Sequence, residues 1–222
     1  MSASMEPENR EILLQGAEAF GIDLAEGVIL AFDIYLRELL KWNQKINLTG
    51  IRTEKGIVIK HFLDSLSVCS HIPGHATLLD VGSGAGFPGI PLKMVQTSLQ
   101  VTLVDSVRKK VDFQKHIVRL LDLRGIEAVH GRVQEEAVVQ QMAERFDMTI
   151  SRAFSDTATF LHLSHPLLKR GGMAIAMRGK TTEEEFQRLS KEDGRQYRLQ
   201  KHVSFVLPFS NLERTILLFK KQ

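Results

Sequence analysis

Cysteine is almost missing from this chain: Cys69 is the one thiol in 222 residues. A lone cysteine excludes an internal disulfide and any cysteine-based zinc site, and makes a reducing cytoplasm the expected compartment. On an apolar helix face, Cys69 reads as a buried core thiol rather than a nucleophile. Metal-ligand spacing of His, Asp and Glu is also missing, so no metal is expected. Charge interrupts every apolar stretch within a few residues, which leaves nothing long enough to span a membrane. Residues 1–11 carry acids and no apolar core, unlike a secretory leader. There is no internal repeat, low-complexity tract or long linker. A large excess of either charge is lacking too. Lys and Arg number 29 against 26 Asp and Glu, a formal +3, which permits a polyanionic partner without requiring one. A monomer is the default expectation.

What the chain does have is a dense glycine cluster in Leu78-Leu79-Asp80-Val81-Gly82-Ser83-Gly84-Ala85-Gly86-Phe87-Pro88-Gly89-Ile90-Pro91. It reads as a short strand, an acid, a tight turn and a helix start. Glycines permit the turn and a close ligand approach, and the helix start offers unpaired N–H groups to an anion. Gly84-x-Gly86-x-x-Gly89 fits the dinucleotide fingerprint, a weak signal alone. Asp80-x-Gly82-x-Gly84-x-Gly86 instead resembles the first motif of class I S-adenosylmethionine methyltransferases. That cofactor carries no phosphate, so Asp80 beside it is reasonable, whereas an acid would repel a pyrophosphate.

The organisation along the chain agrees. Helices are predicted over 8–20, 24–43 (with Asp23 as cap) and 53–71, forming a helical appendage over 1–72. From 73 to 222 strands and helices alternate. Strands are predicted at 76–81, 99–105, 126–130, 146–151 and 171–177. Helices are predicted at 89–96, 107–123, 134–144, 156–169 and 182–192. This pattern implies an α/β fold with a parallel sheet covered on both faces. His202–Leu207 and Arg214–Phe219, joined by a turn, predict a terminal antiparallel hairpin. Five parallel strands followed by an antiparallel pair is the class I methyltransferase order: a Rossmann-like, seven-stranded mixed sheet.

Several residues are candidates for chemistry. Asp105 ends the second strand 23 residues after Gly82, near the offset of a ribose-binding acid; a helix cap is the alternative. Val133 and Gln134 follow the third strand, where an adenine ring would lie, or simply form a loop. Ser151-Arg152-Ala153-Phe154 leaves the fourth strand at the substrate end. It lacks the Asn/Asp-Pro-Pro-aromatic turn of exocyclic-amine methylation, and no cysteine stands nearby for pyrimidine C5 chemistry. A nucleophile with a ready lone pair remains, and guanine N7 qualifies: it needs alignment rather than a base. Arg152 is the active-site candidate. Arg178 and Lys180 follow the fifth strand and are candidate RNA phosphate contacts, as is Lys109. Any one of them reads more readily as an ordinary solvated charge. His61 and Asp64 share a helix face; His61 is a candidate for orienting the target base, or a structural residue.

Segments spread over 42–180 resemble one family, the bacterial ribosomal RNA small-subunit methyltransferase G family. They are Trp42-Asn43-x-x-Ile46-Asn47-Leu48-Thr49, His61-x-x-Asp64-Ser65, Asp80 through Leu92, Leu103-Val104-Asp105-Ser106, Lys109-Lys110, Gly131-Arg132, Phe146-Asp147 and Ser151-Arg152-Ala153. The resemblance implies N7 methylation of a guanine in 16S rRNA of the small ribosomal subunit, with S-adenosylmethionine as cofactor. It carries cofactor contacts onto Gly82, Phe87, Val133, Gln134 and Arg152, beside the motif residues Asp80, Gly84 and Asp105. The chain departs from the family where Val133-Gln134 replaces Ala-Glu, removing a charge. It departs again where Met177-Arg178-Gly179-Lys180 moves the basic residues around the glycine. A methyltransferase of another substrate, and a non-catalytic RNA-binding module on the same fold, are the alternatives.

Overall fold

The computed structural model describes residues 4–152, 154, 156–181 and 196–222. Two helices, α1 (Pro7–Glu18) and α2 (Glu26–Asn43), lead into a longer helical stretch. That stretch starts as α3 (Glu54–Ile57), widens to a π-helix over Val58–Leu63, and closes as α4 (Asp64–Leu66) and a 3₁₀ turn, Cys69–His71. Asp23 does not cap α2: the helix starts after Ala25, whose side chain has nothing to offer the first turn.

The sheet follows. Its parallel strands are β1 (Thr77–Val81), β2 (Gln100–Asp105), β3 (Ile126–His130), β4 (Phe146–Ser151) and β5 (Leu168–Arg178). Between them run α5 (Gly89–Val95), α6 (Arg108–Leu120), α7 (Glu136–Met142) and α8 (Thr157–Ser164). The hairpin β6 (Tyr197–Val206) and β7 (Glu213–Lys221) completes a seven-stranded sheet of order β3-β2-β1-β4-β5-β7-β6. β7 runs antiparallel to both β5 and β6. The expected fold class is therefore the observed one, down to the terminal hairpin. The predicted helix over 182–192 lies outside the described residues.

One boundary moves for a physical reason. The helix expected over 156–169 ends at Ser164 and β5 begins already at Leu168. His165 keeps helical backbone and its N–H still donates to the Leu161 carbonyl, but Pro166 has no N–H to offer the next carbonyl and its ring crowds that turn, so the helix stops there. Buried Leu167 and Leu168 then seat against the sheet. Gln134, expected in a helix start, lies in the turn ahead of α7.

Strand alternation sorts side chains onto two faces. In β7, Ile216 and Leu218 join one core and Leu217 and Phe219 the other. The first core also takes Leu13, Phe32, Leu36 and Phe62 from the helical appendage, and Ile90, Phe113 and Ile117 from α5 and α6. The second takes Val138, Met142, Phe160 and Leu161 from α7 and α8. Cys69 is a buried free thiol, as its helix face suggested, and burial raises its pKa. The strand order reverses between β1 and β4, so a crevice is expected at their carboxyl ends.

Candidate active site

Three glycines with φ of +72°, +61° and +101°, at 82, 84 and 86, turn the chain at the end of β1. Such values are cheap only for glycine. The N–H groups of Gly82 and Ser83 donate to the Val104 carbonyl at 2.9 and 3.1 Å, laying the loop over the end of β2. Gly84 N–H donates to Asp105 Oδ2 at 2.8 Å, and Val107 N–H donates to Asp105 Oδ1 at 2.8 Å. The Gln114 amide, fully buried on α6, donates to the Gly84 carbonyl at 2.7 Å and to Ser83 Oγ at 2.8 Å. This glutamine was not singled out from the sequence, because no local motif marks a helix residue that braces a loop 30 positions away.

Asp80 lies beneath that loop rather than in a cleft wall. Its carboxyl has no exposure and accepts from Gly89 N–H at 2.8 Å through Oδ2, holding the start of α5. Oδ1 has no hydrogen-bond partner among the described residues. Burial pushes its pKa up to about 7, against the pull of the Gly89 N–H and the Arg152 charge. Glycine at 89 is needed for this approach. A Cβ there would stand 2.9 Å from Asp80 Oδ2 and 2.4 Å from Leu103 Cδ2.

The crevice at the switch point has two parts. The first, about 260 Å³, is walled by Gly82, Asp105, Ser106, Val133, Gln134 and Phe154, among others. It thus gathers Gly82, Asp105, Val133 and Gln134 of the sequence candidates. The second, about 350 Å³, is lined by Ile51, Lys60, Asp64, Arg152, Met177, Arg178, Gly179 and Arg214. The exit of β4 serves both, with Arg152 in the second and Phe154 in the first.

Arg152 is held on several sides. Nη1 donates to the Lys60 carbonyl at 3.0 Å and to Asp64 Oδ2 at 3.2 Å, and Nη2 to His61 Nδ1 at 2.9 Å. Its guanidinium carbon stands 5.3 Å from the Phe87 ring centre, within cation–π range. Arginine only donates, so His61 Nδ1 is the acceptor and the imidazole proton sits on Nε2, 2.7 Å from Thr49 Oγ1. Burial first, and the Arg152 charge second, hold the His61 pKa down to about 3, so the ring is neutral.

His61 is therefore not placed as an RNA contact. It is buried and stacked 4.5 Å from Phe87 at 9° between planes, with both ring nitrogens engaged. The π-helix carries it inward between the appendage and the glycine loop. Phe87 sits in the same aromatic stack, 5.2 Å from Tyr35, beneath Arg152 rather than in the first cleft. Asp64 bridges Arg152 and Arg214; Arg214 Nε donates to its Oδ1 at 2.7 Å. Arg214 lies in a strand with no local signal and was missed. Arg178 lines the second cleft and donates to the Phe154 carbonyl at 3.2 Å. Lys180 pairs with Glu213 at 2.9 Å. Lys109 is exposed at the start of α6, and lines neither part of the crevice.

Comparison with known proteins places this geometry in a family. The family model for rRNA small subunit methyltransferase G matches residues 29–216. Curated relatives include a ribosomal RNA small subunit methyltransferase G of Acetivibrio thermocellus, 38% identical over 96% of this chain and 88% of its own length. Another from Geotalea uraniireducens is 42% identical over 96% of each chain. Among solved structures, a SAM-dependent methyltransferase from Aquifex aeolicus superposes with TM-score 0.57 at 18% identity, covering 74% of this chain and 92% of its own. M. jannaschii TYW2, solved in complex with AdoMet, gives TM-score 0.59 at 13% identity, covering 78% and 80%. The structures share the fold, and the sequence relatives carry the assignment: this chain belongs to the rRNA small subunit methyltransferase G family.

Proposed function

We propose that the chain methylates N7 of a guanine in 16S rRNA, with S-adenosylmethionine bound in the first cleft and the guanine entering the second. The observation that carries this reading is the exit of β4, which contributes one wall residue to each compartment. Asp105 at the end of β2 would take the ribose hydroxyls, and Gly82, Val133 and Gln134 would border the nucleoside. The residues fit such a group: the first cleft sets the apolar Val104, Val133 and Phe154 around one acid, Asp105, which suits a nucleoside whose ring is apolar and whose ribose hydroxyls need an acceptor. The cofactor supplies an electrophilic methyl whose sulfur departs as a neutral thioether, so the reaction calls for no Lewis acid.

The chain's own residues suit a base-free reaction. His61, the imidazole beside Arg152, is neutral and has both nitrogens occupied, so it is no proton acceptor. Guanine N7 has a lone pair in the ring plane and loses no proton when it attacks, so alignment suffices. Lys60, Arg152, Arg178 and Arg214 against the single acid Asp64 give the second cleft a cationic lining, suited to a phosphate or to guanine O6. Four cations also favour RNA over a neutral small molecule. The enzyme is read as a cytoplasmic monomer that uses no metal; no helix among the described residues is long and apolar enough to cross a membrane.

The test supplies methyl-labelled S-adenosylmethionine with 30S subunits or naked 16S rRNA and maps the labelled base. Label at guanine N7 is expected, and Arg152→Ala should lower methyl transfer by roughly 100-fold, the scale of a lost positioning contact. Label on protein, or on another atom of the RNA, overturns the reading.

A further inference from the structure

The loop joining β6 to β7 carries a side chain that the core does not use. Leu207-Pro208-Phe209-Ser210 is a tight turn, closed by Ser210 N–H donating to the Leu207 carbonyl at 3.2 Å. Ser210 Oγ donates to the same carbonyl at 2.9 Å and accepts from Leu212 N–H at 3.2 Å. Phe209, third in the turn, has φ of +60°. That place with positive φ belongs to glycine or asparagine, and a bulky residue there is strained. The strain is not offset by burial, since Phe209 is 48% exposed and Val206 beside it 58%. Neither belongs to either core cluster. A strained backbone that presents an exposed ring points to use of the ring.

Its position fits the function proposed above, on which this inference rests. β7 pairs with β5 so that Thr215 faces Arg178, which puts the turn at the crevice edge of the sheet. Phe209 is five residues from Arg214, no more than about 18 Å of extended chain. Arg214 itself bonds Asp64 in the second cleft. From Val206 to Leu212 the turn carries no charge of its own, and the cations at that end of the hairpin are Arg214 and, on the neighbouring strand, Arg178. The first acid, Glu213, is already paired with Lys180.

We propose that Phe209 is a stacking platform for an unpaired RNA base a few nucleotides from the target guanine. An aromatic face at the rim of a cationic groove is the usual means of holding single-stranded nucleic acid. Proteins that read RNA act mostly on such splayed bases. Phe209→Gly separates this role from folding, because glycine accepts the turn's φ without strain. The variant should keep or raise the thermal midpoint, keep its affinity for S-adenosylhomocysteine, and keep kcat at saturating RNA. Its KM for RNA should rise about tenfold, the scale of one lost stack. Phe209→Trp should keep the wild-type KM. RNA carrying 2-aminopurine at positions flanking the methylated guanine should be quenched by wild type and Phe209→Trp but not by Phe209→Gly.

A wild-type KM in Phe209→Gly overturns the inference, and so does a lowered thermal midpoint, which would make the ring structural. A rise in KM with 30S subunits but not with naked 16S rRNA would place the ring against ribosomal protein and also overturns it. Failure of the wild type to label any rRNA, read without the variants, sinks the proposed function and takes this inference with it.

Discussion

Arg152 sits over Phe87 with His61 and Asp64 at its edges, and the ionisation of its surroundings sets a testable pH behaviour. Unfolded, His61 takes up a proton as pH falls through about 6.5; folded, it stays neutral down to about 3. The unfolded chain then binds more protons within that window, so His61 makes stability rise with pH there. His71 and His165, also lowered by burial, act in the same sense. Asp80 acts oppositely: its pKa rises from 3.8 to about 7, so its contribution is present at low pH and is lost as pH climbs through that range. Urea unfolding between pH 4.5 and 6.5 separates them. Relative to wild type, His61→Gln should reduce the slope of unfolding free energy on pH, and Asp80→Asn should increase it, each by up to about 1.4 kcal/mol per pH unit. Two variants with the wild-type slope would show that neither buried group differs between folded and unfolded chains. At this scale the sequence was a partial guide. Gly82, Asp105, Val133, Gln134 and Arg152 reach the crevice because strand ends in this topology converge there. The burial of His61 and Asp80 was not legible, because a motif gives spacing along the chain and not the depth at which tertiary packing sets it.

Among the elements, the π-helix Val58–Leu63 does most to build the site. It brings the Lys60 carbonyl and the His61 ring to one guanidinium, with Asp64 following at its end. Such widened turns occur often at functional sites. Helical periodicity read the whole of 53–71 as one regular helix, because residues 57–69 are buried almost without a break and so carry no one-sided stripe whose phase an inserted residue would shift. What holds the segment is α1, whose Gly16 lies against Leu63. A Cβ at Gly16 would stand 2.3 Å from Leu63 Cδ1 and 2.7 Å from Cδ2, and Leu63 is fully buried with no space to retreat. Gly16→Ala should therefore cost about 1–3 kcal/mol of unfolding free energy, as overpacking does. By shifting the π-helix it should also lower methyl transfer, although Gly16 touches neither cleft. Unchanged stability by chemical denaturation would mean that α1 moves aside freely and does not clamp the site.

On the scale of the molecule, the sequence divides at the rhythm change near residue 72, while the packing does not divide there. We propose 1–72 and 73–222 as units of sequence organisation, and the contacts between them indicate a single cooperative body. Tyr35 donates to the Ala85 carbonyl of the glycine loop, Phe62 lies 6.0 Å from Phe87, and Trp42 lies 5.4 Å from Phe113 on α6. Leu36 and Leu39 of α2 share one core with Leu78 and Leu103 of the sheet. Without the appendage, the outer apolar surfaces of α5 and α6 and the underside of the glycine loop would meet water, and a domain's net stability is only about 5–15 kcal/mol. Aromatic side chains bury some 150–250 Å² each, worth several kcal/mol apiece at about 25 cal/mol per Å². Losing Tyr35 and Phe62 from this interface thus removes a sum comparable with the whole margin. Intact chain should unfold in one transition, coincident by near- and far-ultraviolet circular dichroism, and S-adenosylhomocysteine should raise its midpoint. Residues 73–222 alone should show no cooperative transition, should bind a dye that reports exposed apolar surface, and should lose cofactor affinity. A truncated chain that melts sharply and still binds S-adenosylhomocysteine would make the appendage a separable module.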